Sequence, residues 1–159
     1  MTPQEISALH GTYNMQSWSK QKGLNPIPVK KGEGIYFWDF AGKRYSDMSS
    51  QLVNLNLGHG NREIIDAIKK QAEEYCYISP SYGSEPRSEL AKMVVDLMPD
   101  TIGKVFFTNA GADANENAVK MARMFTGRNK VFSRYRSYHG STFGAGNLTG
   151  EPRRYPLEP

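Results

Sequence analysis

The chain has 159 residues, of which 38% are hydrophobic and 23% charged, a composition typical of soluble globular proteins rather than disordered ones. The single cysteine, Cys76, excludes an internal disulfide and a cysteine-based metal cluster, and no apolar run approaches the roughly 20 residues of a membrane span. The first ten residues carry no secretory signal, so we expect a cytoplasmic protein. The net charge of +4 is uneven, because residues 101–159 carry nine basic and four acidic side chains.

The first part of the chain is predicted to be irregular and then to form a hairpin. A short helix is indicated near Pro3–Leu9, whereas Pro and Gly interrupt residues 23–32. The stretch "GIYFWDFAGKRYSDM" predicts two strands, Ile35–Trp38 and Arg44–Met48, joined by a turn at Ala41–Gly42.

Two amphipathic helices are predicted next. In "REIIDAIKKQAEEY", the apolar residues Ile64, Ile68 and Ala72 recur at helical spacing and lie on one stripe. The segment "SEPRSELAKMVVDLMP" has the same periodicity, and Pro99 is expected to end it.

A strand–helix–strand pattern follows. Lys104–Thr108 and Lys130–Arg134 are predicted strands, and Asp113–Thr126 is a predicted helix that Gly127 stops. This order predicts a βαβ unit with parallel strands and a right-handed crossover, and hence an α/β fold. Parallel sheets need cover on both faces and only two strands are present, so we expect the chain to be the front part of a longer protein.

The turn between the first predicted strand and its helix, "NAGADAN", is a candidate anion site. The first amides of a helix lack acceptors within the helix, and the helix dipole favours a negative charge there. Gly111 and Ala112 leave that backbone open to a phosphate group. Close helix–sheet packing explains the small residues equally well, and neither the dinucleotide-binding motif nor the Walker motif is present at this turn.

A second candidate element, "SYHGST", follows the next predicted strand. Strand ends of neighbouring βα units share one edge of a parallel sheet, where ligands of open α/β folds bind. Tyr138 at that edge could stack on a flat ring, with His139 beside it, although each residue alone is equally compatible with ordinary packing. A phosphate cradle and an aromatic platform on one edge together indicate a phosphorylated aromatic cofactor.

These motifs carry a family resemblance that covers essentially the whole chain. "FFTNAGADANENAVKMAR" followed by "YHGST" resembles the class III (omega) aminotransferases, which are pyridoxal-phosphate (PLP) enzymes of fold type I. The hairpin and "LVNLNLGHGNREIIDAI" are similar to that family's N-terminal region. "SEPRSELAK" and "TGEPRRYP" look most like the branch of taurine–pyruvate and other omega-amino-acid transaminases. The resemblance implies an N-terminal segment and small-domain hairpin over residues 1–60, and an incomplete large PLP-binding domain over 61–159.

The resemblance also implies roles for individual residues. It places the cofactor phosphate on the amides of Gly111 and Ala112, although many relatives have Ser or Thr at the second position. It places Tyr138 against the pyridine ring, with His139 beside it. Two further positions would shape the substrate pocket, and these are Trp18 and Val53.

The family's Schiff-base lysine and the carboxylate at the pyridine nitrogen are expected beyond residue 159, so the resemblance places no catalytic residue in this chain and predicts no turnover from it alone. Glu116 matches a recurrent acidic position to which the sequence gives no chemical role, and we expect it to serve in capping or packing rather than in catalysis. The expected partners are a small amine and a keto acid such as pyruvate, in a homodimer, with no metal, nucleic acid or membrane.

Other readings stay open at this stage. An aminomutase or decarboxylase of the same fold, or a non-catalytic interaction domain, would carry the same motifs. Basic and aromatic residues in "KVFSRYRSYHG" also occur in nucleic-acid-binding modules, but that reading leaves "NAGADANEN" unexplained.

Overall fold

The computed structural model of the chain describes residues 1–157. It divides into two units, Met1–Ser79 and Pro80–Pro159. The domain boundary expected from the family, between residues 60 and 61, stays a prediction.

The first unit opens with α1, Pro3–Tyr13, which confirms the predicted N-terminal helix and extends it. A capping box begins it, because Glu5 N donates to Thr2 Oγ1 (3.2 Å) and Thr2 N donates to Glu5 Oε2 (2.7 Å). Pro3 suits the first helical turn, where its missing N–H has no acceptor to satisfy.

A three-stranded antiparallel sheet follows, with strands in the order β1 (Val29–Glu33), β2 (Tyr36–Asp39) and β3 (Arg44–Ser46). The predicted hairpin is confirmed as β2 and β3, with Phe37 opposite Tyr45 and their rings stacked. The prediction that residues up to 32 are irregular is wrong for β1. Lys and Gly are uncommon in strands, so the sequence of this segment does not indicate one. Pairing with β2 supplies the stability that its side chains do not.

Two helical segments complete the first unit. α2, Ser50–Val53, is a single turn in which all four residues have positive φ, between 48° and 65°. α3, Arg62–Glu74, confirms the first predicted amphipathic helix, and Asn61 Oδ1 caps it by accepting from Ile64 N (3.2 Å).

The second unit contains three helices and a final 3₁₀ segment, Pro152–Leu157. α4, Glu85–Asp96, confirms the second amphipathic helix. α5, Gly111–Thr126, confirms the helix of the predicted βαβ unit, and Gly127 (φ 67°) ends it in the left-handed conformation expected of a C-cap glycine. α6, Phe143–Asn147, is a short helix that follows "SYHGST".

The α/β fold class is confirmed, but the two predicted parallel strands do not form within residues 1–157. Residues 104–108 and 130–134 do not pair with any strand. Within residues 1–157, the sheet consists of the three antiparallel strands of the first unit. A parallel strand is stabilised by hydrogen-bonded neighbours and by cover on both faces. The β-rich sequence indicates that tendency, whereas pairing depends on partner strands that these segments do not have here.

Full burial in residues 1–157 is concentrated around α6. Ala145 and Thr149 are each 1% exposed, and Gly140 and Gly146 are buried as well. This small core holds the loop that follows Tyr138. Among the described residues, no helix has the length and apolar character needed to cross a bilayer.

Candidate functional site

The N-terminus of α5 presents open backbone amides. Its N-cap residue, Ala110, has extended backbone (φ −157°, ψ 163°) and no side chain that could cap the helix. The first helical hydrogen bond runs from Ala114 N to Ala110 O (2.9 Å), so within residues 1–157 the amides of Gly111 and Ala112 have no acceptor. A 16-residue helix concentrates positive potential at this end, which favours an anion there.

Asp113, in the same helical turn, does not oppose an anion at these amides. Its Oδ2 accepts from Asn109 N (3.3 Å) and its Oδ1 accepts from Asn117 Nδ2 (3.1 Å). The carboxylate therefore accepts hydrogen bonds from the helix and from the preceding turn, and Asp113 does not line the cleft at this helix terminus.

A cleft of about 410 Å³ lies at this helix terminus. This volume falls within the roughly 300–1,000 Å³ typical of small-molecule sites. No carboxylate lines the cleft within the described residues. The structure brings all four predicted cofactor residues together in its wall, which consists of Ala110, Gly111, Ala112, Asn115, Tyr138, His139, Gly140 and Ser141.

The loop that carries Tyr138 packs directly on the first turns of α5. Gly140 has φ +136°, and a Cβ there would lie 2.5 Å from Ala112 Cβ, so only glycine allows this approach. Asn115 Nδ2 donates to His139 O (2.6 Å), and His139 N donates to the buried Thr149 Oγ1 (3.2 Å). The two predicted motifs are therefore joined by the contacts of Ala112 and Asn115 with the loop.

Tyr138 and His139 differ in how they meet the cleft. The Tyr138 side chain is 47% exposed, and the Arg153 guanidinium lies 4.5 Å from its ring centroid. His139 is half-buried, and its Nε2 atom is buried with no hydrogen-bond partner among the described residues. Buried polar atoms are nearly always paired, so this nitrogen indicates that the site is completed by a further polar group.

Glu116 has the capping role that the sequence favours over catalysis. Its Oε1 accepts from Thr142 Oγ1 (2.6 Å) and from Ala145 N (2.9 Å), which caps α6 from a neighbouring helix. The hydrogen bond from Thr142, followed by that from Ala145, lowers the pKa of Glu116 against the opposing effect of burial. The carboxylate is therefore ionised at neutral pH.

The two residues predicted to shape the substrate pocket lie in the first unit. Trp18 is 63% exposed and Val53 is 72% exposed, and both have left-handed backbone, with φ of 60° and 65°. A β-branched residue such as Val rarely adopts this conformation. Their role in a pocket stays a prediction.

Sequence reasoning missed the residues that fix the loop on α5. Asn115 bonds to a residue 24 positions away, and Thr149 to one 10 positions away. Pairs this far apart produce no local sequence pattern. A Cβ at Gly144 would overlap the Glu116 carboxylate, so the structure requires glycine at this position. The glycine is visible in the sequence, but in a Gly-rich segment it does not identify the side chain that it contacts.

Comparison with known proteins shows the family to which the chain belongs. The family model for class-III aminotransferases matches residues 18–157. The acetylornithine aminotransferase of Methanopyrus kandleri is 35% identical over 148 residues, which cover 92% of this chain and 37% of that protein. A [LysW]-aminoadipate semialdehyde/glutamate semialdehyde transaminase of Sulfurisphaera tokodaii is 37% identical over 138 residues, covering 86% of this chain and 36% of that protein.

Solved structures of transaminases show the same fold. The taurine:2-oxoglutarate aminotransferase of Bifidobacterium kashiwanohense, in complex with PLP and glutamate, has a TM-score of 0.94 and 59% identity, covering 99% of this chain and 35% of that one. An S-selective transaminase from Arthrobacter with alanine bound has a TM-score of 0.89 and 30% identity, covering 98% and 34%. The chain thus spans slightly more than a third of the length of these relatives. Since the family model covers most of its residues, the chain belongs to the class-III aminotransferase family.

Proposed function

We propose that the complete protein is a PLP-dependent aminotransferase and that residues 110–112 and 138–141 form the phosphate and ring side of its cofactor site. The cleft at the N-terminus of α5 carries this proposal, because open amides and the Tyr138 ring line it together. Membership of the class-III family supports the identity of the cofactor.

Each residue has a distinct task in this proposal. The amides of Gly111 and Ala112 donate to the phosphate, and each charge-assisted bond contributes about 1.5–3 kcal/mol. Ala112 supplies no hydroxyl, so the backbone carries this contact alone. Tyr138 packs against the pyridine ring, and His139 Nε2 binds a polar group at the edge of the site. When bound, PLP would supply an electron-withdrawing ring and, attached to it, the aldehyde carbon that carries the amino group between two substrates.

We propose an amine or omega-amino acid as the amino donor and a 2-keto acid as the acceptor. The donor loses its amino group and becomes an aldehyde or ketone, while the keto acid gains it and becomes an amino acid. The 59% identity to a taurine:2-oxoglutarate aminotransferase supports a donor with a distal anionic group, and it favours 2-oxoglutarate over pyruvate as the acceptor. Trp18 and Val53 are the proposed pocket residues.

Cytoplasmic location and a homodimer belong to the same proposal, and both rest on the family. An aminomutase or decarboxylase remains the alternative within this fold. Incubating the complete protein with taurine and either keto acid distinguishes these reactions. Formation of glutamate or alanine supports amino transfer, whereas release of CO₂ or an isomerised amine without a new amino acid contradicts it.

The cofactor site is tested by Gly111→Ala in the complete holoenzyme. A Cβ at Gly111 meets nothing within 4 Å, so the methyl group fits the fold, and because Gly111 lines the cleft we expect it to take space that the phosphate needs. Alanine also favours the helix, so the fold is retained. We expect PLP affinity to fall roughly 10- to 100-fold, which corresponds to one lost charge-assisted hydrogen bond. Titration of the apoprotein with PLP measures it.

Gly103→Ala is the matched control. Its Cβ would also meet nothing within 4 Å, and Gly103 does not line the cleft. We expect wild-type PLP affinity for this variant. Wild-type affinity in Gly111→Ala as well would show that the phosphate binds elsewhere.

A further inference from the structure

Glu116 lies next to the candidate cofactor site without forming part of its wall. It is half-buried on α5, one residue after Asn115, whose side chain holds the His139 carbonyl at 2.6 Å. Two consecutive α5 side chains therefore hold two ends of the same loop.

The contacts of Glu116 with the end of this loop are close and specific. Thr142 Oγ1 and Ala145 N both donate to Oε1, at 2.6 and 2.9 Å. The other oxygen, Oε2, lies close to Gly144, where an added Cβ would overlap it. A side chain at residue 144 would therefore displace the carboxylate. A shorter or neutral residue at 116 would weaken the hydrogen bonds from Thr142 and Ala145.

The loop from Tyr138 to Ala145 is thus fixed to α5 at three places. Gly140 lies on Ala112, Asn115 holds His139, and Glu116 holds the residues from Thr142 to Ala145. The first two attachments lie in the cleft wall, and only the third is outside it. Ala145 O accepts from Thr149 Oγ1 (3.4 Å), which in turn accepts from His139 N (3.2 Å), so a shift of Ala145 would reach the residue beside Tyr138 while the amides at the start of α5 remain in place.

We propose that Glu116 is a positioning residue that sets the alignment of the Tyr138 ring with the open amides of Gly111 and Ala112. The inference rests on the proposed function, since it needs a cofactor that contacts both the ring and the amides. Glu116 itself touches neither the cofactor nor the substrate.

Two variants of the complete holoenzyme test this inference from opposite sides of the contact. Glu116→Gln keeps the volume and removes the charge, whereas Gly144→Ala keeps the charge and displaces the carboxylate. We expect PLP affinity to fall about 3- to 10-fold in the first variant, because a charge-assisted hydrogen bond is roughly twice as strong as the neutral one that Gln accepts. We expect a fall of at least about tenfold in the second variant, because the added Cβ displaces the whole carboxylate. The induced circular dichroism of bound PLP, measured at saturation, should change in both variants, since it reports the setting of the ring in its site.

Glu89→Gln and Gly103→Ala are the matched controls. Glu89 is exposed on α4, and a Cβ at Gly103 would meet nothing within 4 Å. Both should retain the affinity and dichroism of the wild type. A double variant, Glu116→Gln with Thr142→Val, should cost less than the sum of the two single changes, because the first weakens and the second removes the same hydrogen bond.

The outcomes separate this inference from the proposed function. If the wild type binds PLP and both Glu116→Gln and Gly144→Ala keep its affinity and dichroism, the inference is overturned while the function stands. A lower melting temperature with unchanged affinity and dichroism also overturns it, because the role would then be structural only. If the wild type does not bind PLP, both proposals fail.

Discussion

Asp47 has the most perturbed carboxyl group among the residues that the structure describes. Its side chain is 4% exposed, and Oδ2 lies 3.0 Å from His59 Nε2. Oδ1 accepts from the backbone of Ser49 (3.3 Å) and Gln51 (3.2 Å). Burial alone would raise the pKa of Asp47, but the hydrogen bonds from Gln51, His59 and Ser49 outweigh it and lower the pKa to about 2.

This pKa predicts acid sensitivity of the fold. Since the folded state holds the proton of Asp47 less tightly than the unfolded chain, Asp47 stabilises the fold above its ordinary pKa of 3.8, and that stabilisation is lost as the pH falls from 3.8 to about 2. We expect Asp47→Asn to be less stable than the wild type at neutral pH and to show a flatter decline of unfolding free energy through that window. Urea denaturation of the complete protein at a series of pH values measures it.

Asp100→Asn is the control for this experiment, because Asp100 is exposed and makes no hydrogen bond within residues 1–157. Its pH profile should match that of the wild type. Parallel profiles for wild type and Asp47→Asn below pH 3.8 would refute the proposed coupling of Asp47 to folding.

At the scale of elements, α2 is the most strained segment of the described chain. Left-handed helical backbone costs roughly 1–2 kcal/mol per non-glycine residue, and Ser50–Val53 holds four in succession. Hydrogen bonds on both sides retain it. Asp47 accepts from Gln51 N, Asn54 N donates to Ser50 O (2.9 Å), and Asn54 Nδ2 donates to Gln51 O (2.8 Å). Such strain often marks functional segments, which agrees with the proposed pocket role of Val53.

Leu52→Gly is predicted to stabilise the protein by up to about 1 kcal/mol. Leu52 has φ 58° and is 84% exposed, so glycine relieves the backbone strain and little burial is lost. Glycine's greater freedom in the unfolded chain offsets part of the gain, by roughly 0.5–1 kcal/mol. Chemical denaturation of the complete protein gives the difference in unfolding free energy.

Leu97→Gly serves as the matched control, because Leu97 is 85% exposed but has φ −93°. It should destabilise the protein by about 0.5–1 kcal/mol, since no strain is relieved. Destabilisation of the same size in Leu52→Gly would mean that α2 carries no strain.

The elements also show what the sequence could and could not predict. α3, α4 and α5 were predictable because apolar periodicity and caps are local properties of the chain. β1 was not, since its stability depends on β2, and no local pattern announces the left-handed turn of α2. In the candidate site, Gly111, Ala112, Tyr138 and His139 follow from motifs, whereas the clamp by Asn115 and Glu116 joins residues 24 to 29 positions apart.

At the scale of the whole molecule, the accessible surface is large for the mass. The 17.9 kDa chain exposes 13550 Å², whereas a compact monomer of this mass exposes roughly 8,000 Å². Large apolar side chains contribute to the excess, and Phe125 and Phe132 are 93% and 95% exposed. Buried Phe residues ordinarily remove about 150–250 Å² each from water, so we infer that further protein surface covers these positions in the complete protein.

This surface predicts the behaviour of the isolated 159-residue polypeptide. Without cover for its apolar side chains, it buries too little surface to offset the conformational entropy of about 1–2 kcal/mol per ordered residue. We expect a broad, non-cooperative thermal transition, aggregation at micromolar concentration and strong binding of a hydrophobic dye, whereas the complete protein should melt cooperatively. Calorimetry combined with light scattering makes the comparison. A sharp, reversible melt of the monomeric polypeptide would show that residues 1–159 hold a sufficient core of their own, and the inferred need for covering protein surface would then be wrong.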